Sequence, residues 1–348
     1  MNDVGILTLG IESSCDETAC AVIEDGRIVR SSIIASQADF HSQYGGVVPE
    51  LASRMHVEAI VPCITEAMKQ AQVGYKDLSA VCVTKGPGLV GALLVGVSAA
   101  KALCEVEGLP LVGVNHMAGH IAANYLTDPS WEPPFLCLVV SGGHSEILLV
   151  KDYSDMEYIC ATRDDAAGEA FDKIARVIGL GYPGGPKMDK ASQDGDPHAY
   201  SFPAPKIQDS LDFSFSGIKT AALNLINQTR LKGEDVRVND FAASYQDAVC
   251  SILCDRLDKA IKQTNMKKIC LAGGVSANSC LRKKITELSK KRHCALCLPK
   301  MAYCTDNAAM IASAGYYDFR KGVRDGLDMN AYPSLENVGG EYGHSTWY

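Results

Sequence analysis

The chain has 348 residues, 47% of them hydrophobic and 21% charged, with a formal net charge of −8. That length suits two lobes with separate cores, and that balance describes a globular protein rather than a disordered chain. No apolar run is long enough to span a membrane, and so acidic a chain needs a local basic patch or a partner to hold nucleic acid.

The start, Met1-Asn-Asp-Val, has no basic segment and leads into a strand. No signal peptide is expected there, and the cytoplasm is the expected location. Residues 6–11 read as a strand ending in Glu12-Ser-Ser-Cys-Asp16. Strands at 18–23 and 27–34 flank Asp25-Gly26, a hairpin turn signal. Apolar spacing predicts a helix over 50–72. A short strand at 80–84 runs into Gly86-Pro-Gly88 and Gly91, followed by a helix over about 92–106. A strand at 109–114 leads to Asn115, and His116 and His120 open a helix to about 125. Histidines four apart share one helix face, so both imidazoles can reach one metal ion, with a third ligand still needed. A zinc protease would carry Glu after the first histidine, and Met117 stands there instead.

Asp128-Pro-Ser-Trp-Glu-Pro-Pro134 is the clearest linker, dividing a lobe over 1–128 from one over 135–325. After it the layout recurs. A strand at 135–140 meets the loop Ser141-Gly-Gly-His144 and a returning strand at 145–151. A strand at 268–272 runs into Gly273-Gly274 and a helix over 278–291. A strand at 295–299 is followed by Thr305-Asp306-Asn307 and a helix to about 317. This is a duplication of layout, with an insertion over about 162–239 in the second half. It predicts two α/β lobes facing each other across a cleft lined by loops after strand ends. Asp306 then occupies the station matching His116 and His120. Two histidines and one carboxylate suit a ferrous site, and zinc or manganese also fits.

The glycine loops at 141–144 and 273–278 match neither the P-loop nor the dinucleotide pattern. On matching halves they suit a nucleotide or acyl-phosphate ligand. Asp172 and Asp189 are either acceptors for ribose hydroxyls or plain surface carboxylates. Asp212-Phe-Ser-Phe-Ser-Gly-Ile-Lys219 reads as an edge strand or a loop packed on the cleft. Cys294-Ala-Leu-Cys297 is a single C-x-x-C, weak grounds for a metal or redox site. The basic clusters Lys290-Lys291-Arg292 and Lys267-Lys268 read best as solvated helix ends. A polar tail spans 327–348 and either straps onto a lobe or has no fixed place.

Seven motifs in order resemble the bacterial tRNA N6-adenosine threonylcarbamoyltransferase family, once described as sialoglycoprotein endopeptidases. They are Gly10-Ile-Glu-Ser-Ser-Cys-Asp-Glu-Thr18, Gly86-Pro-Gly-Leu-Val-Gly91, Asn115-His-Met-Ala-Gly-His120, Val140-Ser-Gly-Gly-His144, Gly168-Glu-Ala-Phe-Asp-Lys173, Tyr182-Pro-Gly-Gly-Pro186 and Gly273-Gly-Val-Ser-Ala-Asn278. The resemblance implies the duplicated actin-like fold of sugar kinases and heat-shock ATPases. It implies transfer of threonylcarbamoyl from threonylcarbamoyl-AMP to N6 of adenosine 37 in tRNAs reading codons that begin with A. It implies Fe²⁺ on His116, His120 and Asp306, and substrate contacts at Val140, Ser141, Gly142, Gly143, His144, Asp172, Gly185, Asp189 and Asn278. It also implies partners: a metal-less paralogue of the same fold and a small P-loop ATPase, which would share the tRNA contacts.

The donor is a mixed anhydride from which AMP leaves, and exocyclic N6 is a weak nucleophile that needs a base or close positioning. Glu12, Asp16 and His144 are the candidates for that base, unranked. A small-molecule kinase of the same fold is the alternative reading. A non-catalytic scaffold would be expected to lack the ligand residues.

Overall fold

The computed structural model describes residues 5–203 and 210–334. The first half opens on three antiparallel strands, β1 (Leu7–Glu12), β2 (Glu17–Glu24) and β3 (Ile28–Ser36). Asp25 and Gly26 turn the β2–β3 hairpin with φ of 50° and 69°. Two positive φ values in a row match the twist of the flanking strands. Next come α1 (Ala38–Ser42), α2 (Pro49–Ala71), β4 (Ala80–Gly86), α3 (Val90–Glu107), β5 (Leu111–Asn115) and α4 (His116–Thr127). Pro49 opens α2, where its missing N–H leaves no bond unmade. β4 and β5 join parallel, giving the sheet order β3-β2-β1-β4-β5.

The second half repeats this plan with β6 (Phe135–Val140), β7 (Ser145–Asp152) and β8 (Asp155–Ala161). Then follow α5 (Ala167–Val177), α6 (Gly184–Ser192), α7 (Ser216–Leu231), α8 (Val238–Thr264), β9 (Lys268–Ala272), α9 (Ser279–Arg292), β10 (Ala295–Cys297) and α10 (Ala308–Arg320). The sheet order is β10-β9-β6-β7-β8, the first order repeated. So α8 answers α2, α9 answers α3 and α10 answers α4. The extra material expected over 162–239 is α5, α6 and α7. β8 was not anticipated from the sequence; its short polar alternation gives little strand signal beside the insertion.

The central strands of each sheet are buried on both faces. Leu7, Leu9 and Ile11 pack beneath α2 and α3, while Leu136, Leu138 and Val140 pack beneath α5 and α8. Between the sheets, Val112, Val114, Phe135, Cys137 and Val139 meet α4 and α10. Packing therefore crosses the division drawn in the chain at 128–135. α10 lies on β1, β2 and β4 of the first sheet, and α4 lies along α10 and against β6 and β9. The segment after α10 also returns to the first lobe. Asp325 bridges Leu111 and pairs with Lys85 at 3.6 Å, Met329 is buried in that lobe's core, and Gly88 N–H donates to the Pro333 carbonyl. The expected tail thus straps onto the first lobe over 327–334, and its remainder lies outside the described residues.

The Asp212–Lys219 stretch makes a single parallel bridge, Phe213 to Thr162 just past β8, and then turns into α7. Phe213 and Phe215 are fully buried and stacked, with centroids 6.1 Å apart. Ser214 and Ser216 hydroxyls each donate to Asp164 Oδ2 at 2.6 Å. The alternation of ring and hydroxyl anchors the start of α7 inward and outward at once. Among the described residues, no helix is long and apolar enough to cross a membrane.

α4 and α10 approach closely at Gly119, where a Cβ would lie 2.6 Å from Ile311 Cδ1. Gly119→Val should therefore destabilise the fold by about 1–3 kcal/mol through overpacking, read from denaturant midpoints.

Candidate metal centre and cleft

β5 is buried up to its last residue, and Asn115 caps α4 by accepting the Met117 N–H at 2.8 Å. That cap makes His116 the first helical residue, so His116 and His120 share one face, with ring centroids 4.6 Å apart. At the matching station Asn307 caps α10, accepting from Met310 N–H at 2.9 Å. Asp306, just before that cap, turns toward α4. Its Oδ1 lies 3.3 Å from His116 Nε2 and 3.3 Å from His120 Nε2. One ligand atom from each residue lies within 4.8 Å of the others, the sole such group among the described residues.

The three fit a divalent ion. Ligand atoms about 2.0–2.2 Å from a metal lie roughly 3 Å from one another, close to the 3.3 Å that separates Asp306 Oδ1 from each Nε2. Both Nε2 atoms face the gap. His116 Nδ1 is turned away onto Glu12 Oε2 at 3.0 Å, the carboxylate–histidine pairing that fixes a metal-binding tautomer. Burial alone would lower the His116 pKa, but Asp306 and Glu12 on either side hold it well above the usual range. His120, with no partner at Nδ1, is pushed down by burial. Burial also works against ionised Asp306, yet the two imidazoles hold its carboxyl far below the usual carboxylate range.

Glu12 is fully buried and committed. Ser14 N–H donates to Oε1 at 2.5 Å, and the Thr84 hydroxyl donates to Oε2 at 2.6 Å. Both Glu12 oxygens are thus engaged, one of them on His116, which leaves no free lone pair directed at the cleft as a base would need. Asp16 is 8% exposed, at the end of the same loop. Its neighbour Glu17, passed over in the sequence, is pushed up to about 9 by burial and then by Asp306 and Asp16. The run of two adjacent acids was the available signal. His144 is pushed down to about 4, chiefly by burial and then by His116 and His120, so its ring is neutral at pH 7.

The Ser141–His144 loop is closed on itself, with Ser141 N–H donating to His144 O at 2.8 Å and His144 N–H to Ser141 Oγ at 3.1 Å. Val140 is buried in the core, so only its backbone faces the cleft. Gly273, at φ +84°, lets the β9 turn abut Val140, where a Cβ would sit 2.4 Å from its carbonyl oxygen. Space beside Gly142, Gly143 and Gly185 is open. Asp172 Oδ1 accepts the Gly184 N–H at 2.7 Å and so holds the turn before α6. Asp189 Oδ1 accepts the Ser279 hydroxyl at 2.6 Å, stapling α6 to the start of α9. Asn278 caps α9 through Leu281 N–H at 2.9 Å and donates to Gln246 Oε1 at 2.7 Å. The loops at 140–144, 183–185 and 273–279 are thus tied together on the second lobe.

Other candidates fall away from the cleft. Cys297 is buried on β10 and pushed up to about 12 by burial, and the Cys294 thiol is raised by burial too. Neither is poised as a thiolate ligand. Arg292 forks onto Asp258 at 2.5 and 2.9 Å, and the Lys268 ammonium lies over the Trp131 ring.

A family model described as tRNA N6-adenosine threonylcarbamoyltransferase, TsaD, matches residues 28–313. The chain belongs to this family. A relative of that name from Clostridium kluyveri is 52% identical over 336 residues, covering 96% of this chain and 98% of the relative. Another from Clostridium botulinum is 53% identical over 329 residues, covering 94% and 97%. Among solved structures, full-length HypF in its phosphate- and nucleotide-bound form aligns with a TM-score of 0.60 at 14% identity, over 92% of this chain and 46% of that one. HypF of T. kodakarensis aligns at 0.65 and 13% identity, over 92% and 49%. At that identity the likeness concerns fold alone, the duplicated actin-like one. The threonylcarbamoyltransferase resemblance and fold expected from the seven motifs both hold.

Proposed function

We propose that this threonylcarbamoyltransferase uses a divalent metal ion, iron first and zinc or manganese otherwise, held by His116, His120 and Asp306. The reaction moves threonylcarbamoyl from threonylcarbamoyl-AMP to N6 of adenosine 37 in tRNAs reading codons that begin with A. The observation that carries the metal reading is the single carboxylate oxygen shared at 3.3 Å by two Nε2 atoms. When bound, the ion would stabilise negative charge developing on the donor's carbonyl or phosphate.

The chain's own groups do the rest. Backbone N–H groups of Gly142 and Gly143 stand beside open space and suit the donor phosphate. Asp189 and Asn278 stand at the ribose end, Asp172 and Gly185 at the turn before α6. Neutral His144 can accept a hydrogen bond from the N6 amino group. The N6 proton goes to Asp16 or to neutral His144, since Glu12 is committed elsewhere and Glu17 keeps its own proton at neutral pH. The histidine pair disfavours the kinase alternative, because kinases of this fold hold Mg²⁺ with carboxylates. Mass analysis of tRNA adenosine after incubation with the donor adenylate, with and without chelator, tests reaction and metal together. Unmodified tRNA in both arms sinks the transfer; equal modification in both sinks the metal.

The tRNA reading places the chain in the cytoplasm, working with a metal-less paralogue and a small P-loop ATPase that share contacts with tRNA. Support for the paralogue is an apolar face on two packed helices: Val57 and Val61 of α2, and Val90 and Leu94 of α3, are 41–65% exposed. Val61→Glu should weaken that heterodimer by roughly 30-fold, read by analytical ultracentrifugation, without changing metal content.

A further inference from the structure

The start of α9 carries chemistry that the transfer reaction does not use. Cys280 is the second residue of α9, directly after Asn278 and Ser279. It is part-exposed, and α8, which packs along α9, presents the buried Cys250 thiol to the same first turn. Cys250 also donates to Asn278 Oδ1 at 3.5 Å. Lys284, one turn along α9, is fixed near Cys280 by Asp247 at 2.8 Å. A helix N-terminus and a nearby ammonium are the surroundings that favour thiolate over thiol. The neighbouring Cys250 thiol pulls the Cys280 thiol down, and Lys284 adds to it against the effect of burial. Cys254, one turn from Cys250, is instead pushed up to about 12 by burial. These thiols form no metal-ligand group.

We propose that Cys280 and Cys250 are an oxidative modification site, converted by hydroperoxides into an internal disulfide that reshapes the Asn278 end of the cleft. Cys280 thiolate attacks the peroxide oxygen, giving a sulfenic acid and releasing hydroxide. The Cys250 sulfur then attacks the sulfenic sulfur, the S–S bond forms, and water leaves with the thiol proton. In sum, two thiols and one hydrogen peroxide give one disulfide and two waters. The new bond removes the thiol that donates to Asn278, and it pulls α9 toward α8 at the residue beside the Ser279–Asp189 staple. The consequence for nucleotide binding rests on placing Asn278 and Asp189 at the donor site, as proposed above.

The test titrates the full reduced chain with hydrogen peroxide. Peptide mapping without reductant should find a Cys250–Cys280 link before any other cysteine is oxidised, and dithiothreitol should remove it. Amide hydrogen exchange over 279–282 should quicken in step. AMP affinity should fall by up to about tenfold, the worth of one hydrogen bond. C280S should bind AMP normally, form no link and keep its affinity under peroxide. Oxidation of other cysteines first, or a link that leaves exchange over 279–282 unchanged, overturns the proposal. A reduced chain that does not bind AMP would count against the donor-site assignment; the link and the exchange change still decide the modification site.

Discussion

His116→Ala should lose bound metal and tRNA modification together, each by more than about 100-fold, since removal of a ligand exceeds the cost of losing a partner behind one. The remaining His120 and Asp306 offer two ligand atoms, too few to hold an ion between them. Metal content by elemental analysis and modified adenosine by mass spectrometry are the two readouts. Full modification by a metal-free variant would end the metal reading. The pH dependence has a definite sign. Asp306 and Glu12 keep His116 protonated above its ordinary pKa, and an incoming ion must displace that proton. Affinity in the unsubstituted chain should therefore rise with pH through that raised pKa and fall on the acid side. In the alanine variant this contribution disappears.

Glu12→Gln should lower metal affinity by roughly 10–100-fold while leaving the fold in place. The amide keeps the shape of the carboxylate, so the Ser14 bond survives. Its NH₂ group, however, would donate to His116 Nδ1. That hydrogen bond favours the tautomer with the proton on Nε2, the atom needed by the metal. Calorimetric titration with Fe²⁺, Zn²⁺ and Mn²⁺ measures the loss, and excess metal should restore modification. An affinity equal to that of the unsubstituted chain would show that Glu12 is not what orients the ring.

The cluster of His116, His120 and Asp306 was legible because each lies at a station that the duplicated layout makes comparable. His116 and His120 follow from helical spacing, and Asp306 follows from the repeat. What could not be read is how buried groups far apart in sequence meet. Glu12 looked like a candidate base because nothing in its neighbourhood shows that His116, 104 residues on, and Thr84 consume its lone pairs. The two aromatics at 213 and 215 looked like a strand because alternation is a strand signal, while the carboxylate that organises them, Asp164, lies some 50 residues earlier. The crossing of α4 and α10 between the sheets escaped notice because both helices are apolar on most sides, so neither periodicity nor composition says which sheet each will cover.

The close passage of those two helices at Gly119 has a mechanical consequence. The three candidate ligands sit at the start of α4 and just before the cap of α10, whereas the loops at 140–144 and 273–279 follow strands of the second sheet. Movement of those loops alone would widen the gap for adenylate and tRNA without pulling the candidate ligand atoms apart. An ion held there, as proposed, would then stay in place while substrates come and go on the wall opposite.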